Sequence, residues 1–170
     1  MTDSRMQRGQ QWLETLLQRM AVSTDVKAEL YTNVEGSDFP EPDSYWLTIN
    51  ENNLKPEQIQ VLIGPQGTAL DAIQYLANAI LNLNQPQDQQ AAYTVELNGY
   101  RIRRQAEIRA IAESAAEQVR SNGQEVEIKS LSSAERRLVH TFLKDFKDLE
   151  TFSRGKEPHR HLVVRQQLQE

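Results

Sequence analysis

A short glycine-containing segment separates two apolar helical patterns in the middle of the chain. Ile59, Leu62 and Ile63 recur at helical spacing, GPQG occupies residues 64–67, and a second helical pattern begins at Thr68. Two glycines three positions apart permit a backbone turn that residues with a Cβ disfavour, so a flat or charged ligand can approach main-chain N–H groups there. The segment therefore predicts two helices joined by a tight corner.

Apolar periodicity predicts the remaining elements of the first half. We expect helices at residues 5–22, 56–63 and 68–83, and strands at 26–34, 45–50 and 93–97. The turn-rich EGSDFPEPDS at 35–44 separates the first two strands, which therefore form a hairpin. The expected apolar faces consist of Trp12, Leu13, Leu16, Leu17 and Met20 in the first helix, and of Leu70, Ile73, Leu76, Ala77, Ile80 and Leu81 in the third.

The second half predicts two helices and three short strands. One helix spans residues 100–121, and a capping-box pattern, Ser132-x-x-Glu135, opens the other. The strands are expected at 125–129, 149–153 and 160–164. The residues expected to face inward are Ile102, Ala106, Ile111, Ala115 and Val119 in the first helix, and Leu138, Val139, Phe142, Leu143 and Phe146 in the second.

Composition limits the class of protein. The 170 residues contain no cysteine, which excludes disulfides and thiolate metal sites and suits a reducing compartment. No segment resembles a signal peptide or reaches the ~18 apolar residues of a membrane span, so we expect a cytoplasmic protein. Up to Asn98 there are 5 Lys and Arg against 13 Asp and Glu, a balance of −8, whereas from Gly99 onward the counts are 14 and 11, a balance of +3. A polyanionic partner would therefore be attracted mainly by the second half.

The element order of the first half is similar to that of a known domain. Helix, strand, strand, helix, Gly-x-x-Gly, helix, strand resembles the K-homology (KH) domain in its bacterial, type II arrangement, with GPQG as the signature loop. The resemblance implies that a nucleic-acid backbone lies against this loop while bases spread over an adjacent apolar groove. KH loops commonly carry a basic residue between the glycines, whereas Pro65 and Gln66 are neutral. Main-chain N–H groups and Gln66 would have to contact phosphate, and an ordinary helix–helix turn is the alternative.

A second motif lies near the C-terminus. Arg136 and His140 are four residues apart, so they share one helical face, which we expect to be turned away from Phe142 and Phe146. They match the Arg-x-x-x-His signature of a small single-stranded nucleic-acid binding domain, and the run from Thr151 to Arg160 resembles that domain's second half. Arg136 can bind a phosphate or stack on a base, with a neutral or charged His140 beside it. The alternative is an ordinary solvated helix face.

The two motifs in this order resemble the bacterial Jag (KhpB) family of RNA-binding proteins. The matching stretches are IGPQGTALDAIQYLANAI, YRIRR, ERRLVH and SRGKEPHRHLVV. The resemblance implies an α+β chain with a type II KH-like domain at residues 1–98 and a small α/β Arg-x-x-x-His domain at 99–170. Longer members carry an extra N-terminal domain for which we find no counterpart, so functions of that domain are not expected here.

The candidate RNA-binding residues come from both motifs and from the YRIRR segment. They are Gly64, Pro65, Gln66, Gly67, Arg101, Arg103, Arg104, Arg136, Arg137, His140, Arg154, Lys156 and Arg160. We expect the glycine corner and the face of Arg136 and His140 to form one cationic trough. A soluble helix surface is the alternative for the arginines at 101–109.

The expected function is non-enzymatic binding of single-stranded RNA, including small regulatory RNAs and messages. Single-stranded DNA stays open, and a second small KH protein is a family-level expectation for a partner. We expect no cofactor, membrane or small-molecule substrate, since phosphate-loop and nucleophile-elbow motifs are missing. A protein-interaction adaptor is one alternative. A hydrolase with a metal held by His140, His159 and His161 is a weaker one.

Overall fold

The computed structural model describes residues 3–31 and 44–168. The predicted strand beyond Tyr31 and the turn-rich segment up to residue 43 lie outside the described residues. The chain divides into two compact units, residues 1–101 and 102–170. Both combine helices with a small sheet, so the α+β class is confirmed. Within the described ranges, no helix combines the length and the apolar character that a membrane crossing requires.

The first unit packs helices against a three-stranded sheet. Its elements are α1 (Ser4–Arg19), β1 (Val26–Tyr31), β2 (Ser44–Ile49), α2 (Pro56–Ile63), α3 (Thr68–Asn82) and β3 (Ala92–Leu97), with 3-10 turns at Glu51–Asn53, Pro65–Gly67 and Gln87–Gln89. Strand β2 lies in the centre, antiparallel to β1 and parallel to β3. Because parallel strands need a crossover connection, α2 and α3 carry the chain from β2 to β3.

Helix α1 begins one residue before the predicted start at residue 5 and ends three residues before the predicted end at residue 22, each for a local reason. The Asp3 carboxylate accepts a hydrogen bond from the Arg5 backbone N–H at 2.9 Å and thereby caps the helix at its start. At the other end Ala21 adopts a φ of 59°, which no helix continues. The Arg5 guanidinium and then the Tyr45 hydroxyl hold the pKa of Asp3 well below its usual range.

Buried and less buried residues alternate along the central strand of the first unit. Tyr45, Leu47 and Ile49 of β2 are buried and their neighbours are not, as the two-residue period of a strand requires. Helix α3 buries Leu70, Ile73, Ala77 and Leu81, but two residues predicted on the same face, Leu76 and Ile80, are 43% and 48% exposed. The prediction was wrong there because the buried stripe is only one residue wide per turn.

The second unit packs two helices against another three-stranded sheet. Its elements are α4 (Tyr100–Asn122, which begins at the end of the first unit), β4 (Val126–Ile128), α5 (Ser133–Leu143), β5 (Leu149–Arg154) and β6 (His161–Gln166). Strand β6 is central and antiparallel to both neighbours, and its residues 162–164 are fully buried. The core therefore forms around β6.

The inward face of α4 differs from the predicted one. Ile102 is 65% exposed and Ile111 37%, and Ala106 is exposed as well. Ala115 and Val119 are buried as predicted, and the rest of the buried stripe consists of Ile108, Ala112 and Ala116. Small alanines let the helix approach its neighbours closely, so side-chain size and not apolar character alone selected this face.

Phe146, predicted to face inward from α5, is 37% exposed and follows the end of that helix at Leu143. The Arg120 guanidinium lies 4.7 Å from the centre of its ring. A cation over an aromatic face stabilises a partly exposed ring. Phe146 is therefore held by a surface contact, while Val139 and Leu143 supply the core of α5.

We predict that Gly9→Ala destabilises the first unit, although alanine favours helices over glycine. A Cβ at Gly9 would lie 2.6 Å from Tyr93 Cε1 and 3.3 Å from Leu47 Cδ1. The buried Tyr93 ring cannot swing away, because its hydroxyl donates to the Arg5 carbonyl at 2.9 Å. We expect a loss of about 1–3 kcal/mol in the free energy of unfolding. Urea unfolding measures it, with the exposed neighbour Gln11→Ala as the control, and an equally stable Gly9→Ala variant would contradict the packing.

Candidate nucleic-acid interface

The GPQG corner is a tight turn whose backbone conformation requires glycine at both positions 64 and 67. Gly64 has a φ of 72° and Gly67 a φ of 76°, values that residues with a Cβ rarely adopt. A Cβ on Gly67 would lie 2.2 Å from the Tyr100 hydroxyl oxygen, and one on Gly64 would lie 2.8 Å from Ala69 Cβ. Tyr100 therefore packs behind the corner.

The N–H groups of this corner are partly engaged already. The Gly67 N–H donates to the Gly64 carbonyl at 3.2 Å, and the Thr68 N–H donates to the Pro65 carbonyl. The Thr68 hydroxyl donates to that same carbonyl at 2.9 Å. Pro65 and Gln66 are exposed at the tip, where Gln66 has a φ of 53°. The corner thus offers an exposed neutral tip, and its two inner donors are not open to a phosphate.

Arg101 and Arg104, at the start of α4, form structural ion pairs. Arg101 donates to Asp71 at 2.5 Å and to the Val95 carbonyl at 3.1 Å, and its side chain is only 16% exposed. Arg104 donates to Glu135 at 2.7 Å and to Glu107 at 3.0 Å. Arg101 therefore links elements of the first unit, and Arg104 links α4 to α5 in the second.

Arg103 is exposed, as a phosphate contact requires. It lies in α4 between Arg101 and Arg104, which are both partly buried. Among the three arginines of this segment, Arg103 therefore fits the predicted role best.

Arg136 does not have the solvated position that the sequence predicted. Its side chain is 6% exposed, and its guanidinium is surrounded by acceptors of the protein. Nη1 donates to the Leu131 carbonyl at 2.9 Å and to the Arg160 carbonyl at 3.3 Å, and Nη2 donates to Ser133 Oγ at 3.1 Å and to the Glu157 carboxylate. The physical reason is its place on the helix, since 136, 139 and 143 form the buried stripe of α5.

The contacts of Arg136 fix the turn between β5 and β6. Residues 155–160 of this turn, which we call the basic turn, dock on the first turns of α5 through Glu157 and the Arg160 carbonyl. Lys156, His159 and Arg160 of the basic turn are exposed, as is Arg137 on α5. The candidate residues Arg136, Arg137, Lys156 and Arg160 therefore belong to one region, with Arg136 beneath it.

His140 lies one helical turn further along α5 and faces strand β5. Its Nδ1 is 2.6 Å from Thr151 Oγ1, and the ring is partly buried. Burial lowers the pKa of His140, so the ring is neutral at pH 7. A neutral imidazole can donate or accept a hydrogen bond beside the basic turn, but it adds no charge.

Arg154 points to the other face of this sheet. It follows Thr151 by three positions along β5, and alternate residues of a strand face opposite sides. Its guanidinium donates to Glu125 at 2.8 Å and to Glu127 at 3.3 Å. The pairing with Arg154 lowers the pKa of Glu125, and the pairing with Glu125 raises the pKa of Arg154. Arg154 is therefore separated from the face that carries His140.

Sequence reasoning did not single out Glu157, Ser133 or Thr151 as site residues. Thr151 opens the run that resembles the second half of the Arg-x-x-x-His domain, so that run carried a usable signal. Glu157 is the one acidic residue in the basic turn, which is itself a signal. Among the described residues, no group of three or more His, Cys, Asp or Glu side chains is placed to hold a metal ion.

Comparison with known proteins identifies the class of the second unit. The model of the R-3-H domain, which is named for its Arg-x-x-x-His signature, matches residues 106–166. The match covers most of α4, all of α5 and all three strands of that unit, including Arg136, His140 and the basic turn. This part of the chain is an Arg-x-x-x-His domain.

The chain is also similar to proteins named RNA-binding protein KhpB. It is 30% identical to that of Clostridium symbiosum over 66% of this chain and 50% of the relative. It is 35% identical to that of Lactiplantibacillus plantarum over 61% of this chain and 32% of the relative, and 30% identical to that of Bacillus subtilis over 64% and 52%. The matches confirm the resemblance to the Jag/KhpB family. The chain spans about half or less of the length of these relatives.

We predict that His140 makes the second unit less stable in mild acid. Because its folded-state pKa is lowered, the unfolded chain binds protons more readily below pH 6.5 than the folded chain does. The contribution of His140 is therefore complete above that pH and is lost as the pH falls toward the folded-state pKa. Unfolding free energies at about pH 7.5 and 5.5 should show a smaller difference for His140→Gln than for wild type. His159→Gln, at an exposed position, is the matched control, and equal differences in wild type and His140→Gln would contradict the burial.

Proposed function

We propose that this protein binds single-stranded RNA through the basic turn and α5 of its Arg-x-x-x-His domain, and that it catalyses no reaction. The observation that carries the proposal is the buried Arg136, which holds Lys156 and Arg160 outward from one turn. Cations on a fixed turn attract a phosphate backbone at little conformational cost.

The relatives support the chemical class of the ligand. The KhpB proteins that match this chain are named RNA-binding proteins, and the second unit of the chain is an Arg-x-x-x-His domain. Nothing in these names favours the adaptor or the hydrolase alternative. The neutral His140 and the exposed cations suit contacts to bases and phosphates and not proton transfer, which needs a group positioned against a reacting atom.

The first unit is proposed to be a type II KH-like domain. Its order α1-β1-β2-α2-GPQG-α3-β3 and the left-handed φ of both glycines support this assignment. The exposed Pro65 and Gln66 would contact a strand through shape and one amide. Since this unit is acidic overall, we expect it to add selectivity and the Arg-x-x-x-His domain to add affinity.

The remaining parts of the proposal concern the cellular setting. A small regulatory RNA or a message is the proposed ligand, and a second KH protein is the proposed partner. A cytoplasmic location would suit the absence of cysteine. Single-stranded DNA of the same sequence tests whether a 2′-hydroxyl contributes.

We predict that the triple variant Arg137→Ala/Lys156→Ala/Arg160→Ala binds RNA at least about tenfold more weakly, a loss of about 1.4 kcal/mol. Each lost phosphate contact should also reduce the slope of log K against log salt by about 0.7. Fluorescence anisotropy with a labelled oligouridine of about 12 nucleotides, at about 50 to 200 mM salt, measures both quantities.

The control variant removes the same charge from other places in the second unit. Arg109→Ala/Arg120→Ala/Arg165→Ala deletes three arginines that pair with Glu113, Asp148 and Glu150. It should retain most of the affinity, because only long-range attraction is lost. Equal weakening by the two triple variants would show that net charge, and not this surface, binds RNA.

A further inference from the structure

The acceptors around Arg136 are of two kinds. Three of them are neutral: the backbone carbonyls of Leu131 and Arg160, and the hydroxyl of the short Ser133 side chain. The fourth acceptor, the Glu157 carboxylate, is charged and extends from the basic turn. Its side chain is 58% exposed while that of Arg136 is 6% exposed. The carboxylate therefore reaches a buried cation from the solvent side.

Glu157 can leave this position more easily than the other acceptors. The Leu131 and Arg160 carbonyls cannot move without displacing backbone next to α5 and β6, whereas rotation about side-chain bonds removes the carboxylate. A buried guanidinium left without an anion is strongly disfavoured. Departure of Glu157 thus requires that another anion take its place.

The surroundings favour a phosphate as the replacement. Phosphate and carboxylate oxygens make the same charge-assisted hydrogen bonds to a guanidinium. Lys156 and Arg160 are exposed on the same turn as Glu157, and Arg137 is exposed on α5 next to Arg136 in sequence. Within residues 155–160, Glu157 is the one acidic residue, so its carboxylate is the negative charge of the basic turn that an approaching phosphate meets.

We propose that the Glu157 carboxylate occupies a phosphate-binding site formed by Arg136 Nη2 and Ser133 Oγ, and that RNA binding exchanges this carboxylate for a phosphate of the strand. The inference rests on the proposed function. In the free protein Glu157 keeps Arg136 paired and the basic turn in place. Because Glu157 competes with the phosphate, the apparent affinity for RNA equals the intrinsic affinity multiplied by the fraction of molecules in which the site is open.

Glu157→Gln separates competition from a structural role. Glutamine has the same shape and keeps an oxygen acceptor for Arg136 Nη2, but it carries no charge and competes less well with phosphate. We expect the affinity of the full chain for the labelled oligouridine to rise about three- to tenfold. The salt slope should change little, because the complexes of wild type and of Glu157→Gln contain the same phosphate contacts.

Glu113→Gln is the matched control, because it removes the same charge from an exposed pair with Arg109 at 3.1 Å. It should change the affinity less than twofold. Affinity of Glu157→Gln equal to or below that of wild type, with an unchanged melting temperature, would overturn the exchange. If wild type binds the oligouridine and Glu157→Gln does not bind more tightly, only this inference fails. If neither wild type nor Glu157→Gln binds it, the proposed function fails as well.

Discussion

The buried guanidinium of Arg136 is the interaction on which the arrangement of the Arg-x-x-x-His domain depends. A charge in the interior is tolerated only when its hydrogen bonds are satisfied, and Arg136 satisfies its own with residue 131, the start of α5 and the basic turn. The basic turn is distant in sequence from the other two segments, so the ion fixes their relative positions more specifically than apolar contacts could. The positions of the exposed Lys156 and Arg160 therefore depend on Arg136, whose side chain is buried.

Net charge is a poor guide to the location of the proposed binding surface in this domain. Several of its arginines are neutralised locally, since Arg104 pairs with Glu135, Arg120 with Asp148 and Arg165 with Glu150. Within the described part of the chain, no ion pair involves Arg137, Lys156 or Arg160. Exposed ion pairs contribute little to stability, but they do cancel the local field. The basic turn and α5 therefore carry exposed cations that no ion pair among the described residues neutralises, although the positive balance of the second half is small.

The sequence was sufficient for the types and order of the elements and for the location of the basic turn, because periodicity, caps and glycine positions are local signals. Sequence-based prediction was wrong where tertiary packing determines which side chains are buried. The four-residue spacing of Arg136 and His140 correctly indicated a shared side of α5, but not that Arg136 also continues the stripe of Val139 and Leu143. The spacing of residues 136, 139 and 143 is present in the sequence, but an arginine is rarely buried, so apolar periodicity alone does not assign it to the core. The pairing of Arg136 with Glu157, across 21 residues and a turn, has no local signal at all.

In the proposed function, the glycine corner and the basic turn would contact a nucleic acid in two different ways. At the corner, the inner N–H groups of Gly67 and Thr68 are used within the turn, and the half of the chain that carries it has a charge balance of −8. Long-range attraction to phosphate must therefore come from the other unit. What the corner can supply is shape, together with apolar contact from Val61 on α2, which is 72% exposed. Apolar and shape contacts discriminate between bases without adding much affinity. This distribution of charge supports the proposed division, in which the Arg-x-x-x-His domain would retain the strand and the first unit would select it.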